Sequence, residues 1–367
     1  MKNNDSVYYE LIEKQRKWIY GLPESEYLLP IMKLRMSLEE AALLLKIPHF
    51  PHTLEQLQQI AGIDQGDLDA TLDALAKRGL VMKITSSKGS RYLLNDAFFW
   101  FYRMPGYEGK SDEFNKEISP LLNKYYRDAM AGNVHMHKNK GLRTIPIKTS
   151  VENRQSVMPF EDAASIIDAS RIASVSTCSC RHRKNLDPDE ESCKHETRTC
   201  LHFDLLGRYL VQNGLAEQIS KQEALEIAKN CADAGLVHAV SNTIEGIDTI
   251  CNCCSCCCAF IETKLFLPKP MTTGHQPSNY IASVDNEICK KCGLCTKRCP
   301  MKALTIISKE DHEKEIMFCT EKCIGCGVCA HKCLTGAVRL QRREADEHYP
   351  ANVIELVQAM LRDQGIS

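Results

Sequence analysis

Near the carboxyl end, Cys289, Cys292, Cys295 and Cys299 stand as C-x2-C-x2-C-x3-C, and Cys323, Cys326, Cys329 and Cys333 repeat that spacing. Nothing else in the 367 residues restricts the fold as much. Cysteines this close need a tight loop to bring three sulfurs onto one centre, and Gly293, Gly325 and Gly327 permit the sharp backbone path. The fourth cysteine of each run, expected to start a helical turn, points away toward a second centre. Pro300 follows the first run, and Leu334 stands in the same place after the second. Structural zinc sites seldom carry eight cysteines in a doubled spacing of this kind.

These residues resemble the bacterial two-cluster 4Fe-4S ferredoxin domain over about residues 279–341. The resemblance implies that Cys289, Cys292, Cys295 and Cys333 hold one cluster, and that Cys323, Cys326, Cys329 and Cys299 hold the other. It also implies a pseudo-twofold fold, with ALTIIS and KEIMF as a hairpin around KEDHE and the outer runs YIASV and AVRL paired. Cys319 is extra and is expected to be a packed thiol. A cubane spreads one electron over four irons, so the expected chemistry is single-electron transfer.

The other cysteines are unevenly placed. Of twenty, none lies in residues 1–177, eleven lie in 178–258 and nine in 289–333. The amino terminus has no apolar core of the kind a secretory signal needs, and no run approaches the ~18–20 apolar residues of a membrane helix. The chain is therefore expected in the cytoplasm, where thiols stay reduced and close cysteines read as metal ligands. Residues 150–262 read as alternating helices and strands. The strand-like RIASVST runs into Cys178 and Cys180, followed by Cys193 and Cys200, with His182, His195 and His202 interspersed. The strand-like GIDTI runs into Cys251, Cys253 and Cys254, then Cys256, Cys257 and Cys258. If the two strands are parallel neighbours, both groups emerge at one sheet edge, where open α/β sheets place ligands. So many thiols facing one volume call for a soft metal. The expectation is a further iron–sulfur cluster on Cys178, Cys180, Cys193, Cys200, Cys251, Cys253 and Cys254, with zinc or metal-free redox thiols as alternatives. Cys256, Cys257 and Cys258 rank lower, because three successive side chains diverge on a regular backbone. The CC pairs resemble those of the heterodisulfide-reductase CCG motif, but its long flanking spacings are missing, so no ligand is carried over. Cys231 falls on an apolar helix face with Ala224, Ile227 and Ala228 and is expected in the core.

The first region reads as helices and a hairpin. Ser37 with Glu40, and Thr53 with Gln56, form capping boxes. A third helix is expected to start near Asp64, carry Leu68, Leu72 and Leu75 on one face, and end at Gly79. VMKIT and RYLL follow as two strands around SSKGS. Residues 35–95 thus resemble a winged helix-turn-helix domain, which would imply DNA binding. The recognition helix, however, would begin with Asp64, Asp67, Asp69 and Asp73, which phosphates repel, so protein docking or dimerisation is the expected use. The run Phe98–Tyr102 is expected to be either a buried junction between domains or an exposed docking patch.

The expected fold class is multidomain, α/β and α+β. Residues 1–110 form a helical, winged-helix-like domain, 111–262 a cysteine-rich α/β domain, 263–278 a linker, 279–341 the ferredoxin-like fold, and 342–367 a C-terminal helix. Taken whole, the chain resembles the multidomain dicluster proteins of anaerobes. With 46 basic and 47 acidic side chains it is not a polybasic nucleic-acid or membrane-surface protein. It carries no G-x-G-x-x-G or Walker motif and no nucleophile-elbow serine. The expected function is an electron carrier or oxidoreductase subunit, relaying single electrons through two 4Fe-4S clusters to a further cluster or a partner. The partner would be a redox protein or oxidoreductase complex, with homo-oligomerisation open and DNA and membrane insertion not expected. The alternatives are an oxidoreductase that binds substrate at the middle cluster and a redox-sensing winged-helix regulator.

Overall fold

The computed structural model of the chain describes residues 5–62, 65–265, 274–308, 314–344 and 347–366. The expected position Asp64, half of the linker and the KEDHE loop lie outside them. Helices α1 (Ser6–Arg16), α2 (Leu28–Arg35), α3 (Leu38–Lys46), α4 (Leu54–Ala61) and α5 (Gln65–Lys77) open the chain, with strand β1 (His52–Thr53) before α4. Both capping boxes form: the Ser37 and Thr53 hydroxyls accept from the third residue of α3 and α4, whose Glu40 and Gln56 reach back. Strands β2 (Val81–Ser86) and β3 (Gly89–Leu94) make the hairpin, tighter than expected, with Ser86 and Gly89 already paired. Two acidic side chains of α5 hold this hairpin: Asp73 meets Lys83 at 2.5 Å and Asp69 accepts from the Tyr92 hydroxyl at 2.6 Å.

Phe98–Arg103 then forms a π-helical turn whose five aromatic side chains are all buried. This overturns the docking-patch alternative, since no contact surface is left on them. Phe98 packs on Tyr102 and Phe260, and Tyr102 on Tyr126, so the run joins the first helices to the centre of the molecule. Helices α6 (Glu113–Tyr125) and α7 (Ala131–Met136) follow. One apolar cluster runs from α1–α5 through this segment to Ala259–Ile261 and on to Ile324 and Val328.

The centre is a seven-stranded sheet. Its members are β4 (Leu142–Thr144), β5 (Ala173–Thr177), β6 (Arg198–Phe203), β7 (Glu217–Ile219), β8 (Val237–Ser241), β9 (Thr249–Cys253) and β10 (His275–Gln276), in the order β10-β4-β8-β9-β6-β5-β7. Only β10 and β4 pair in parallel; every other neighbouring pair is antiparallel. The expectation that the strands before Cys178 and Cys251 are parallel neighbours is therefore corrected. They are β5 and β9, and β6 lies between them, antiparallel to both. Two strands antiparallel to a common neighbour run the same way, so their carboxyl ends still share one edge of the sheet. The stretch expected as linker also contributes β10, whose His275 is buried.

Alternation divides the two faces of the sheet. Val175, Leu201, Phe203, Val240 and Ile250 pack under α8 (Ala163–Ala169) and α11 (Lys221–Asp233). Cys200 faces the other way, against Phe99, Met104, Tyr107 and Tyr209 of α10 (Asp204–Gln212). Helix α9 (Ser179–Leu186) leaves β5 at Cys178. In the C-terminal part β11 (Tyr280–Val284) pairs with β14 (Val338–Arg342), as the resemblance implied, and β12 (Leu304–Ser308) pairs with β13 (Lys314–Phe318) as the expected hairpin, both antiparallel. A short helix α12 (Leu294–Arg298) lies between, and α13 (Val353–Asp363) closes the chain on an Asn352 cap. No described helix is long and apolar enough to cross a membrane.

Candidate metal centres

Local backbone places the C-terminal cysteines. Gly293, at φ +74°, starts α12, which carries Cys295. Cys299 ends that helix in an extended conformation and opens a turn, its carbonyl accepting from the Lys302 N–H at 3.1 Å. It lines a closed apolar cavity together with Cys323, Cys326 and Cys329, beside Met301, Leu304, Phe318 and Ile324. Burial, and then the thiols of Cys289, Cys333 and Cys292, push Cys295 above the ordinary thiol range. The second run sits on the tightest backbone in this part. A Cβ on Gly325, at φ +72°, would lie 2.1 Å from the Ser278 hydroxyl and the Tyr280 carbonyl. Backbone N–H groups donate to the sulfurs: Ala303 to Cys299 at 3.2 Å, Lys291 to Cys289 and Val338 to Cys333 at 3.4 Å. An all-thiol donor set with N–H groups aimed at its sulfurs suits iron–sulfur clusters. Leu334, which stands where proline was expected, is fully exposed and holds nothing. The extra Cys319 donates to Glu321 at 3.1 Å and stays outside both sets.

The middle cysteines come together at the sheet edge as two groups rather than one. Cys178 caps α9 and Cys180 lies in its first turn. The pairing of Leu201 with Ile250 sets Cys200 opposite Cys251 across β6 and β9, and the two-residue period puts Cys253 on the same face. The thiols then close a ring: Cys178 interacts with Cys180 and Cys200, Cys200 with Cys251, Cys251 with Cys253, Cys253 with Cys258, and Cys258 with Cys180. Phe98 and Phe260 wall the cavity inside the ring. The His275 Nε2 lies 3.9 Å from the Cys253 sulfur. Hydrogen bonding to Cys178 and Cys251, with burial, holds Cys200 well above the usual thiol value. A metal bound there would displace such protons, because only the thiolate is a ligand.

The second group is Cys193, Cys254, Cys256 and Cys257, whose sulfurs all lie within 4.8 Å of one another. Cys193 and Cys254, expected with the others, gather in this group, and Cys254 also lines the cavity inside the ring. Cys256, Cys257 and Cys258, ranked low as ligands, all belong to one group or the other. The reason is the backbone: β9 ends at Cys253 and residues 255–257 form a turn, so successive side chains need not diverge as they do on a helix or strand. Cys231 is buried beside Leu236, in the core as expected, and burial pushes its thiol up to about 12.

Of the histidines, His202 is held between the Ser176 and Thr249 hydroxyls at 2.9 and 3.0 Å, and His182 against the Lys110 carbonyl at 2.8 Å. Three arginines, not singled out by the sequence reasoning, surround the thiols. Arg103 Nη2 is 3.9 Å from the Cys251 sulfur. Arg181 is fully buried and bonds the Glu196 carbonyl, the Thr199 hydroxyl and the Asn252 carbonyl. Its desolvation is outweighed by the thiolates of Cys178 and Cys254, which hold it charged. Arg183 stacks on the Tyr102 ring at 3.8 Å and meets Asn123. The available signal was C-S-C-R-H-R itself: cations inside a cysteine motif, on a helix that begins at its first thiol.

The C-terminal part is fixed against this edge. Arg298 donates to the Ala232 and Asp233 carbonyls at the end of α11, and Asp233 pairs with His331 and Lys332. The Ile147 N–H donates to the Cys326 carbonyl and the Ser150 hydroxyl to that of Gly327. Between the two parts opens a cleft of about 730 Å³ that reaches both Cys254 and Cys299 and is lined by His195, Lys297, Arg298 and Lys302.

No curated protein and no solved structure matches the chain. A family model described as the 4Fe-4S dicluster domain matches residues 288–337, which supports the binding of iron–sulfur clusters by these cysteines and points to electron transfer in general.

Proposed function

We propose that the protein relays single electrons between a redox partner and the thiol ring at the sheet edge, by way of the C-terminal cysteine sets. The observation that carries this reading is the single cleft that borders Cys254 on one side and Cys299 on the other. A 4Fe-4S cluster supplies one-electron chemistry with little change of shape. In this reading Cys289, Cys292, Cys295 and Cys333 bind one cubane, and Cys323, Cys326, Cys329 and Cys299 the other. Cys178, Cys180, Cys200, Cys251, Cys253 and Cys258 bind a further iron–sulfur centre. Arg103, Arg181 and Arg183 offset the negative charge of the ring thiolates, and Phe98 and Phe260 keep water from them. Arg298 and the 147–150 strap hold the two parts in register, which fixes the transfer path.

The size of the cleft favours a second reading, in which the same residues serve an oxidoreductase. Its volume is that of a small-molecule site, and three of its side chains are cationic. Iron content separates both readings from a two-cluster carrier. Anaerobically purified protein should hold clearly more than the ~8 Fe of two cubanes. Cys200→Ser should lower iron while both C-terminal clusters keep their signals in electron paramagnetic resonance. Cys326→Ser should do the reverse. A wild-type protein with ~8 Fe, unchanged by Cys200→Ser, would remove the ring from the electron path.

A further inference from the structure

We infer that Cys193, Cys254, Cys256 and Cys257 bind one zinc ion, as a centre of its own beside the thiol ring. The spacing of the sulfurs carries the argument. Cys193 lies 4.0 Å from Cys254 and 3.7 Å from Cys256, and Cys256 lies 3.5 Å from Cys257. Four thiolates at ~2.3 Å from a single tetrahedral zinc sit ~3.8 Å from one another. A cubane spreads its thiolates further apart, because each binds a different iron at the outside of the cluster. The molecule contains its own comparison. Among the described residues, only this group and Cys253–Cys258–His275 gather three or more donor atoms within 4.8 Å of one another. The eight C-terminal cysteines, in the dicluster match, are set wider.

The donor set selects the metal. Four sulfurs fill all four tetrahedral positions, which is the pattern of a closed structural zinc site, and thiolate softness disfavours calcium and magnesium. Such a site carries a net charge of about −2, and the fully buried Arg181 faces Cys254 to balance it. Cys254 and Cys257 are buried, whereas Cys256 is exposed, so the metal has a way in.

The position gives the ion a task. Residues 187–197 have no regular structure apart from turns, and Cys193 is their link to the 254–257 turn. The Cys193 N–H is held by Asn185 at 2.7 Å at the end of α9. The same turn delivers Cys258 to the ring. Zinc would thus clamp the long loop and the turn together and fix one ligand of the neighbouring centre without exchanging electrons itself. This assignment rests on thiol spacing alone, and it holds whatever metal the ring binds.

The test uses the full-length protein purified without oxygen, with zinc and iron both measured. About one zinc per chain is expected. Cys256→Ser and Cys193→Ser should each remove it and leave the C-terminal cluster signals unchanged, whereas Cys200→Ser should keep it. Zinc-edge X-ray absorption of the unaltered protein needs no variant to fold, and should give four sulfur neighbours at about 2.3 Å. Absence of zinc, nitrogen or oxygen in its first shell, or loss of iron rather than zinc in Cys256→Ser would each overturn the proposal.

Discussion

The C-terminal cysteines and the middle cysteines solve the same problem, gathering thiols, by opposite means. In residues 289–333 the geometry is local. Tight glycine turns bring three sulfurs of each run together, and one long-range step, the crossing of Cys299 and Cys333, completes each set. In residues 178–258 it is non-local. The ring draws on a helix start, two strands separated from it in sequence, and a turn, and its closure depends on the register of β6 against β9. The local solution should tolerate a change in the sheet and fail with a change in the loop. The non-local one should do the reverse. It also needs charge compensation from elsewhere, from Arg103 on the aromatic segment and Arg181 and Arg183 on α9, where the C-terminal sets use backbone N–H groups.

The largest effect expected of a single change to this contrast is at Gly325. Alanine there puts a Cβ 2.1 Å from two oxygen atoms at a backbone conformation that side chains rarely adopt. The substitution should cost about 2–4 kcal/mol and empty the Cys323–Cys329 set, with the metal of the middle region retained. Anaerobic unfolding curves combined with metal analysis check this, and loss of the middle metal as well would make the two regions one cooperative unit. An intermediate effect is expected at Arg103. Arg103→Gln removes a positive charge beside Cys251, so the midpoint potential of the ring centre should move in the negative direction while the C-terminal potentials stay in place. A redox titration followed by electron paramagnetic resonance reads both together, and equal shifts in all centres would contradict a local role.

The smallest effect tests the seam between the regions. Hydrogen bonds from Lys332 and then His331 lower the Asp233 carboxyl to about 2, from 3.8. A depressed carboxyl stabilises the fold above its unfolded value, and the contribution is lost as pH falls from about 4 toward 2. The side chain is 39% exposed, so solvent screens the pairs and Asp233→Asn should cost less than about 1 kcal/mol at neutral pH. The difference between the variants in unfolding free energy should shrink in high salt and vanish near pH 2. A larger, salt-independent loss would mean that the carboxylate holds the C-terminal part in place by more than charge.

By itself, the sequence determined those features that depend on neighbours along the chain. The doubled cysteine spacing, the capping boxes at Ser37 and Thr53 and the hairpins were legible, because spacing and alternation along the chain specify them, and the outer pairing of β11 with β14 followed from the ferredoxin resemblance. The meeting of the two middle cysteine groups was legible only in outline, since both follow strands. The tertiary structure decided the rest. It placed β6, which the sequence reasoning did not single out, between β5 and β9. It divided the expected thiols into two groups, brought Cys256–Cys258 to them on a turn, and brought His275 from an expected linker to within 3.9 Å of Cys253. The physical reason is that strand order, register and the path of a turn are chosen by what the whole chain can bury together. A cysteine's neighbours in space then include residues as distant along the chain as Arg103 is from Cys251, which no local pattern records.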